Sequence, residues 1–247
     1  MLRRLDPSPP EARFEAQRRT AFVTGASGYL GRALCAALLA RGHRVRALVR
    51  PGSSGAVVAG CDLVQGDALD ARTFAGRIAP ADTLVPLVGV RKPSPGKERE
   101  FETVDGASLA AALDAAQGAR VRHIVYVSVA QPAPVMKAYA RVRAGCEARL
   151  RSCGIPSTIL RPWYVLGPGH RWPILLRPLY WLAERMPGSS ASARRLGLVT
   201  LEEMVTALVW AVEHPAPAVR VLDVPAIRRG GVGAPSGTHG EGWTPSP

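Results

Sequence analysis

AFVTGASGYLG, residues 21–31, runs from a short apolar strand straight into a glycine-rich helix start. Ala21, Phe22 and Val23 supply the strand, and Gly25, Gly28 and Gly31 fall at G-x-x-G-x-x-G spacing. The first glycine permits a tight turn, the second lets backbone approach a pyrophosphate, and the third lets helix and strand pack closely. The helix N-terminus then offers unpaired N–H groups and a positive dipole end to an anion. A strand before, a helix after and a second strand about twenty residues on supply the context that such a phosphate cradle requires.

Outward from this stretch, strand-like and helix-like runs alternate. Strands are expected at 21–24, 44–49, 61–65, 83–88, 121–127 and 155–160, with helices at 29–41, 70–77, 98–117 and 137–153. Continuous apolar strands interleaved with amphipathic helices predict an α/β fold, a doubly wound parallel sheet (Rossmann fold) covered on both faces. Residues 20–161 form that domain. Beyond it lie a Gly/Pro/aromatic loop, RPWYVLGPGHR at 161–171, an apolar helical segment at 172–186, an amphipathic helix at 201–214 and a short strand at 218–224. The segment 162–227 is too small for a domain of its own and is expected to pack as a substrate lobe over the sheet's carboxyl edge. Tails at 1–19 and 228–247, rich in charge or in Gly, Pro, Ser and Thr, predict disorder.

An apolar fraction of 47% in 247 residues is ample for a core. The net charge of +13 invites a nucleic-acid partner. Its distribution argues against one: only Lys92, Lys97 and Lys137 are lysines, and the arginines are scattered through every segment. No apolar run reaches the roughly 18 residues of a membrane span, and the first residues lack the apolar core of a signal peptide. Cys35, Cys61, Cys146 and Cys153 show no metal-ligand or disulfide spacing, which predicts reduced thiols in a cytoplasmic protein with no metal.

An NAD site usually places a carboxylate after the second strand to accept from the ribose hydroxyls. From Tyr29 through Cys61 there is no acidic residue, whereas Arg44, Arg46 and Arg50 lie on or after that strand. Arg50, at its carboxyl end, suits a 2'-phosphate, so NADP(H) is favoured over NAD(H). Solvated surface arginines are the competing reading.

The chain resembles the short-chain dehydrogenase/reductase superfamily, in its extended and atypical branch of NAD(P)-binding, epimerase/dehydratase-like and NmrA-like proteins. The resemblance rests on TGASGYLG at 24–31, ALVRPGS at 47–53, QGDALD at 65–70, VRHIVYVSV at 121–129 and TILRPWYVLGPG at 158–169. It implies that Gly25, Ser27, Gly28, Tyr29 and Gly31 surround the pyrophosphate and that Arg50 lies near the adenosine ribose. Asp67 and Ala68 would contact adenine, although Asp67 equally suits a helix cap. Leu87, Val88 and Gly89 would line the cofactor, with Pro162 and Trp163 near the nicotinamide.

In active relatives a Tyr-x-x-x-Lys pair works with a Ser at the end of the fifth strand: the tyrosine moves a proton and the lysine lowers its pKa. The resemblance carries these roles to Ser128, Tyr139 and Arg143, with arginine standing where the relatives have lysine. Tyr139 can also be read as a packed amphipathic residue, Ser128 as a loop serine, His170 as an acid-base group or a loop residue, and His123 as structural. Trp163, Tyr164, Trp172, Tyr180 and Trp181 suit a lipophilic pocket, a membrane-surface patch flanked by Arg171, Arg177 and Arg185, or plain core packing. The expected function is NADP(H)-dependent hydride transfer on a small carbonyl or hydroxyl substrate. The alternative is a cofactor-binding redox sensor or structural subunit without turnover.

Overall fold

The computed structural model describes residues 18–53, 56–90, 94–131, 136–166 and 197–232. Strand β1 (Thr20–Thr24) leads into helix α1 (Tyr29–Ala40), followed by β2 (Arg44–Val49), β3 (Asp62–Gln65) and β4 (Thr83–Pro86). Helix α2 spans 98–117, with a π-helical turn at Phe101–Gly106 between α-helical ends. Then come β5 (His123–Val127), α3 (Lys137–Ser152), β6 (Ser157–Leu160), β7 (Tyr164–Leu166), β8 (Leu198–Thr200), α4 (Leu201–Glu213), β9 (Val219–Leu222) and α5 (Val224–Arg228). The main sheet has seven parallel strands in the order β3-β2-β1-β4-β5-β6-β9. This is the predicted Rossmann fold, and its strand order reverses between β1 and β4, where such sheets bind ligands.

The pleat explains why the strands read as unbroken apolar runs. Ala21, Val23, Val45, Ala47, Val85, Val125 and Leu160 face the core under α1, α4 and α5. Phe22, Leu48, Val64, Leu84, Ile124, Tyr126 and Ile159 face the opposite core, under α2 and α3. Neighbouring residues serve opposite buried layers, so both must be apolar. Helix α1 buries Gly31, Leu34, Cys35 and Leu38 at helical spacing. It ends in a Schellman motif: Gly42 has φ +79, its N–H donates to the Leu39 carbonyl at 2.9 Å, and His43 N–H donates to that of Leu38 at 3.0 Å. A capping box starts α4, with Glu203 N–H donating to Thr200 Oγ1 at 3.1 Å and Thr200 N–H to Glu203 Oε2 at 2.7 Å.

Several elements differ from the sequence expectation. The helix anticipated at 70–77 is two 3₁₀ turns, Ala71–Thr73 and Ala75–Arg77. Phe74 sits between them with its ring 5.9 Å from that of Phe22, and burying it breaks the helical path. Residues 201–222, assigned from the sequence to a lobe over the carboxyl edge, are continuous with the main layers. Helix α4 packs on α1 and β9 adds the seventh strand beside β6. The two-stranded sheet of β7 and β8 and the short α5, capped by Asp223, were not anticipated. Of the expected tails, Arg18, Arg19 and residues 228–232 are described; the remainder lies outside the described residues. Among the described residues no helix is long and apolar enough to cross a membrane.

His123 on β5 is structural. Its Nε2 pairs with Thr158 Oγ1 at 3.0 Å, and its Nδ1 is buried without a partner among the described residues. Burial, helped by Arg220 and Arg19, lowers its pKa from 6.5 to about 4. The unfolded chain therefore takes up this proton first as pH falls. Stability is full above pH 6.5 and drains away between 6.5 and 4, by about 3 kcal/mol in all. Urea unfolding across this range should show the loss, and His123→Gln should flatten it. An equal loss in the variant would remove His123 as its source.

Candidate active site

The glycine turn is built as a cradle that side chains would fill. Gly25 has φ +72, and a Cβ there would lie 2.8 Å from the Leu87 carbonyl carbon. A Cβ on Gly31 would run into the Gly25 carbonyl oxygen. Gly28 N–H donates to that same oxygen at 2.9 Å, which closes the turn. Gly28 is the N-cap of α1, carries no capping side chain, and no acid stands in the first helical turn. Ser27, Gly28 and Tyr29 are exposed there. The backbone donors and positive dipole end of α1 thus stand at the exposed turn beside the end of β4, an arrangement that fits a dinucleotide pyrophosphate.

Along β2 and just past it the three arginines have separate fates. Arg46 Nε pairs with Asp62 Oδ2 at 2.7 Å, and its Nη1 donates to the Arg77 carbonyl at 2.7 Å and to that of Ala79, so it is bound into the fold. Arg44 is exposed where β2 begins, beside Thr20, at the opposite end from the glycine turn. Arg50 is exposed just past the strand, and among the described residues its guanidinium has no partner. Asp67 accepts from Leu69 N–H at 3.0 Å through Oδ1, while Asp70 caps the first 3₁₀ turn. One oxygen of Asp67 is therefore spent on a local turn; Ala68 beside it is half-buried against the core under α2.

Leu87 and Val88 leave β4 with their backbone against Gly25, and Gly89 follows. A Cβ on Gly89 would lie 2.8 Å from Asp105 Oδ1 and 2.9 Å from Arg143 Nη2. That pair is the centre of the next cluster. Arg143 Nη2 is ion-paired with Asp105 Oδ1, and Nη1 donates to the Tyr126 hydroxyl and the Val127 carbonyl, each at 2.9 Å. Its Cζ lies 5.1 Å from the centroid of the Tyr139 ring and 5.6 Å from that of Tyr126. The Tyr139 ring in turn meets Phe101 edge-on at 5.0 Å. Burial works against the Arg143 charge, but Tyr139, Tyr126 and Asp105 outweigh it, and the guanidinium stays protonated. Burial raises the Tyr139 phenol above its usual pKa, and Arg143 pulls it only part of the way back.

Tyr139 and Arg143 are thus brought together, as the helical spacing of four predicts. Ser128 is turned elsewhere. Its hydroxyl donates to Glu147 Oε1 at 2.6 Å in a buried contact. Glu147 also accepts from Gln131 Nε2 at 3.1 Å, Arg151 Nη1 at 3.1 Å and Arg161 Nε at 2.9 Å. Burial opposes its charge, yet Arg161, Ser128 and Arg151 together hold its pKa below the usual value. Pro162 is buried and its carbonyl accepts from Ala130 N–H at 2.9 Å, while Trp163 packs on the core under α1. His170, Trp172, Tyr180 and Trp181 lie outside the described residues. Asp105, Tyr126 and Glu147 went unnoticed in the sequence. An acid four residues after Phe101 on the same helical face, and another four after Arg143, were the available signals.

The model of a family described as NAD(P)H-binding matches residues 25–171. The chain belongs to this family of NAD(P)H-binding proteins. A ceramide reductase of Caulobacter vibrioides is 28% identical over 213 residues, 85% of this chain and 65% of the relative. A 4-hydroxy-2-methyl-3-oxo-4-farnesyl-3,4-dihydroquinoline-1-oxide ketoreductase of Stigmatella aurantiaca is 36% identical over 109 residues, 43% of this chain and 32% of the relative. The chain therefore matches less than two thirds of the length of either. Among solved structures, a short-chain dehydrogenase/reductase superfamily protein from Agrobacterium tumefaciens with bound NAD shares the fold at TM-score 0.59 and 21% identity, over 85% of this chain and 81% of that one.

Proposed function

We propose that this chain is an NADPH-dependent reductase of a lipophilic ketone, with Tyr139 as its proton donor. The observation that carries the reading is the protonated Tyr139 phenol with the Arg143 guanidinium 5.1 Å from its ring centroid. When bound, the reduced nicotinamide supplies a hydride. Tyr139 keeps its proton at neutral pH, which is the state needed to protonate the oxygen of a carbonyl being reduced. It is the wrong state for taking a proton from an alcohol. Arg143 supports the phenolate left behind, and as a permanent cation it does so at any working pH. Support for the reduced phosphorylated cofactor comes from Arg50, exposed at the end of β2 with no partner among the described residues, and from the absence of acid between Tyr29 and Cys61. Support for a lipophilic substrate comes from the ceramide and farnesyl groups in the names of the two relatives and from the aromatic run at 163–181.

Two measurements test this. NADPH should bind more tightly than NADH, and Arg50→Ala should weaken NADPH about tenfold to a hundredfold while leaving NADH unchanged. Equal or tighter NADH binding by the wild type would remove Arg50 from the site. NADPH consumption with a panel of long-chain and prenylated ketones should give turnover, which Tyr139→Phe should cut by about 10²–10⁴-fold.

A second reading, cofactor binding without turnover, is favoured by one fact: the Ser128 hydroxyl and both terminal nitrogens of Arg143 are engaged inside the protein. Tight NADPH binding with no turnover across the panel would select it.

A further inference from the structure

The carboxylate of Asp105 occupies a junction that cofactor binding alone does not account for. Its Oδ2 accepts from Val90 N–H at 3.0 Å, and its Oδ1 holds Arg143. The 87–90 segment is therefore held at both ends, by Leu87 N–H, which donates to the Thr24 carbonyl at 3.1 Å, and by Asp105, which packs on Gly89 and takes the Val90 N–H. One turn on, Ser108 Oγ donates to the Val88 carbonyl at 3.2 Å, so α2 fastens the same segment twice. Through Arg143 the carboxylate also reaches the end of β5, at Tyr126 and Val127, and the Tyr139 ring on α3.

We infer that Asp105 is a positioning residue: by clamping Gly89 and Val90 and fixing Arg143 behind Tyr139, it preforms the wall on which the nicotinamide half of the cofactor rests. This rests on the chain binding a nicotinamide dinucleotide, and it deepens that reading. A lysine four residues after the tyrosine would carry a single ammonium point charge. Arginine here has a fork with one arm for Asp105 and the other for the β5 end. Asp105 and Arg143 therefore act as one unit, and the wall depends on both.

The test is cofactor affinity, read by NADPH and NADH fluorescence titration on the full chain, together with thermal melting of each protein without cofactor. Asp105→Asn keeps the size and removes the charge. It should weaken the preferred cofactor at least tenfold at a temperature where the variant is still folded. Since removing one partner also destabilises a buried pair, the Asp105→Leu/Arg143→Met double variant separates the two roles: it should regain melting temperature, because an apolar pair replaces an ion pair at little cost. If the wall is set by the charged pair, the double variant stays at least tenfold weak for cofactor despite the regained stability. Recovery of both stability and affinity would overturn the inference, as would Asp105→Asn binding within twofold of wild type. Should the double variant melt no higher than Asp105→Asn, both are titrated in the cold by the same criteria. A wild type that binds cofactor without turning over would sink the reductase reading and leave this one standing; a wild type that binds neither dinucleotide would sink both.

Discussion

Gly31→Ala is expected to abolish measurable dinucleotide binding and to lower stability by about 1–3 kcal/mol, the usual cost of overpacking. The added methyl would meet the Gly25 carbonyl oxygen, and would lie 2.8 Å from Ala26 Cα and 2.9 Å from the Gly25 carbonyl carbon. All three are backbone atoms, so no side-chain rotation relieves the clash. Helix α1 must move away from the end of β1, and the donors at its N-terminus move with it. Displacements of an ångström at a binding or reacting centre cost on the order of a hundredfold. Gly42→Ala is the control. Gly42, unlike Gly31, has a positive φ, +79, but a Cβ there meets nothing within 4 Å. It should cost only backbone strain, about 1 kcal/mol, and leave NADPH titration unchanged. Equal effects on binding from the two variants would mean that the glycine turn matters through general stability and not as a cradle.

The contrast between these glycines shows what was legible in the chain. Spacing and flanking pattern located the glycine turn, because it is local: Gly25, Gly28 and Gly31 lie within eleven residues of the strand that leads into them. The six strand positions were legible for a similar reason, since β1, β4, β5 and β6 are buried along nearly their whole length and aliphatic or aromatic residues run through them, while β2 and β3, toward one edge of the sheet, keep a buried apolar residue on at least one face. What escaped depends on partners far along the chain. Arg46 looked as free as Arg50 until Asp62 and two carbonyls from 77–79 closed on it. Phe74 looked like one more helical residue until it stacked on Phe22. Asp105 and Glu147 carried no motif, and their partners stand as many as 38 and 19 residues away, at Arg143 and Ser128. Ser128 sits at the strand end where the resemblance puts it, but its proton is aimed at Glu147, an orientation that only the tertiary structure sets.

Glu147→Ala carries the other large expectation, a loss of about 3–5 kcal/mol, because it leaves the hydroxyl of Ser128 and the guanidinium of Arg161 without their acceptor in a mostly buried site. Glu147 has a side chain only 2% exposed. Glu100, by comparison, has a side chain that is 54% exposed and pairs with a Lys97 side chain that is 35% exposed, and Glu100→Ala should cost well under half as much. Urea unfolding at neutral pH measures both, and similar losses would mean that the Glu147 cluster is worth no more than a surface pair. The acid limb gives an independent reading. The folded pKa of Glu147 lies below its ordinary 4.5, so the cluster contributes fully above that pH and fades as pH falls through the lower folded value. The His123 loss comes earlier, between pH 6.5 and about 4. Wild type should therefore lose stability in two overlapping stages on acidification. Glu147→Ala, already deprived of the cluster, should show the upper stage at full size and a diminished lower one. Its loops should loosen together, since the same carboxylate holds Ser128 at the end of β5, Gln131 beyond it and Arg161 at the end of β6. Hydrogen exchange at Ala130 N–H, whose acceptor is the Pro162 carbonyl, should then rise before the core strands exchange. Unchanged protection there would mean that the two loops hold each other without Glu147.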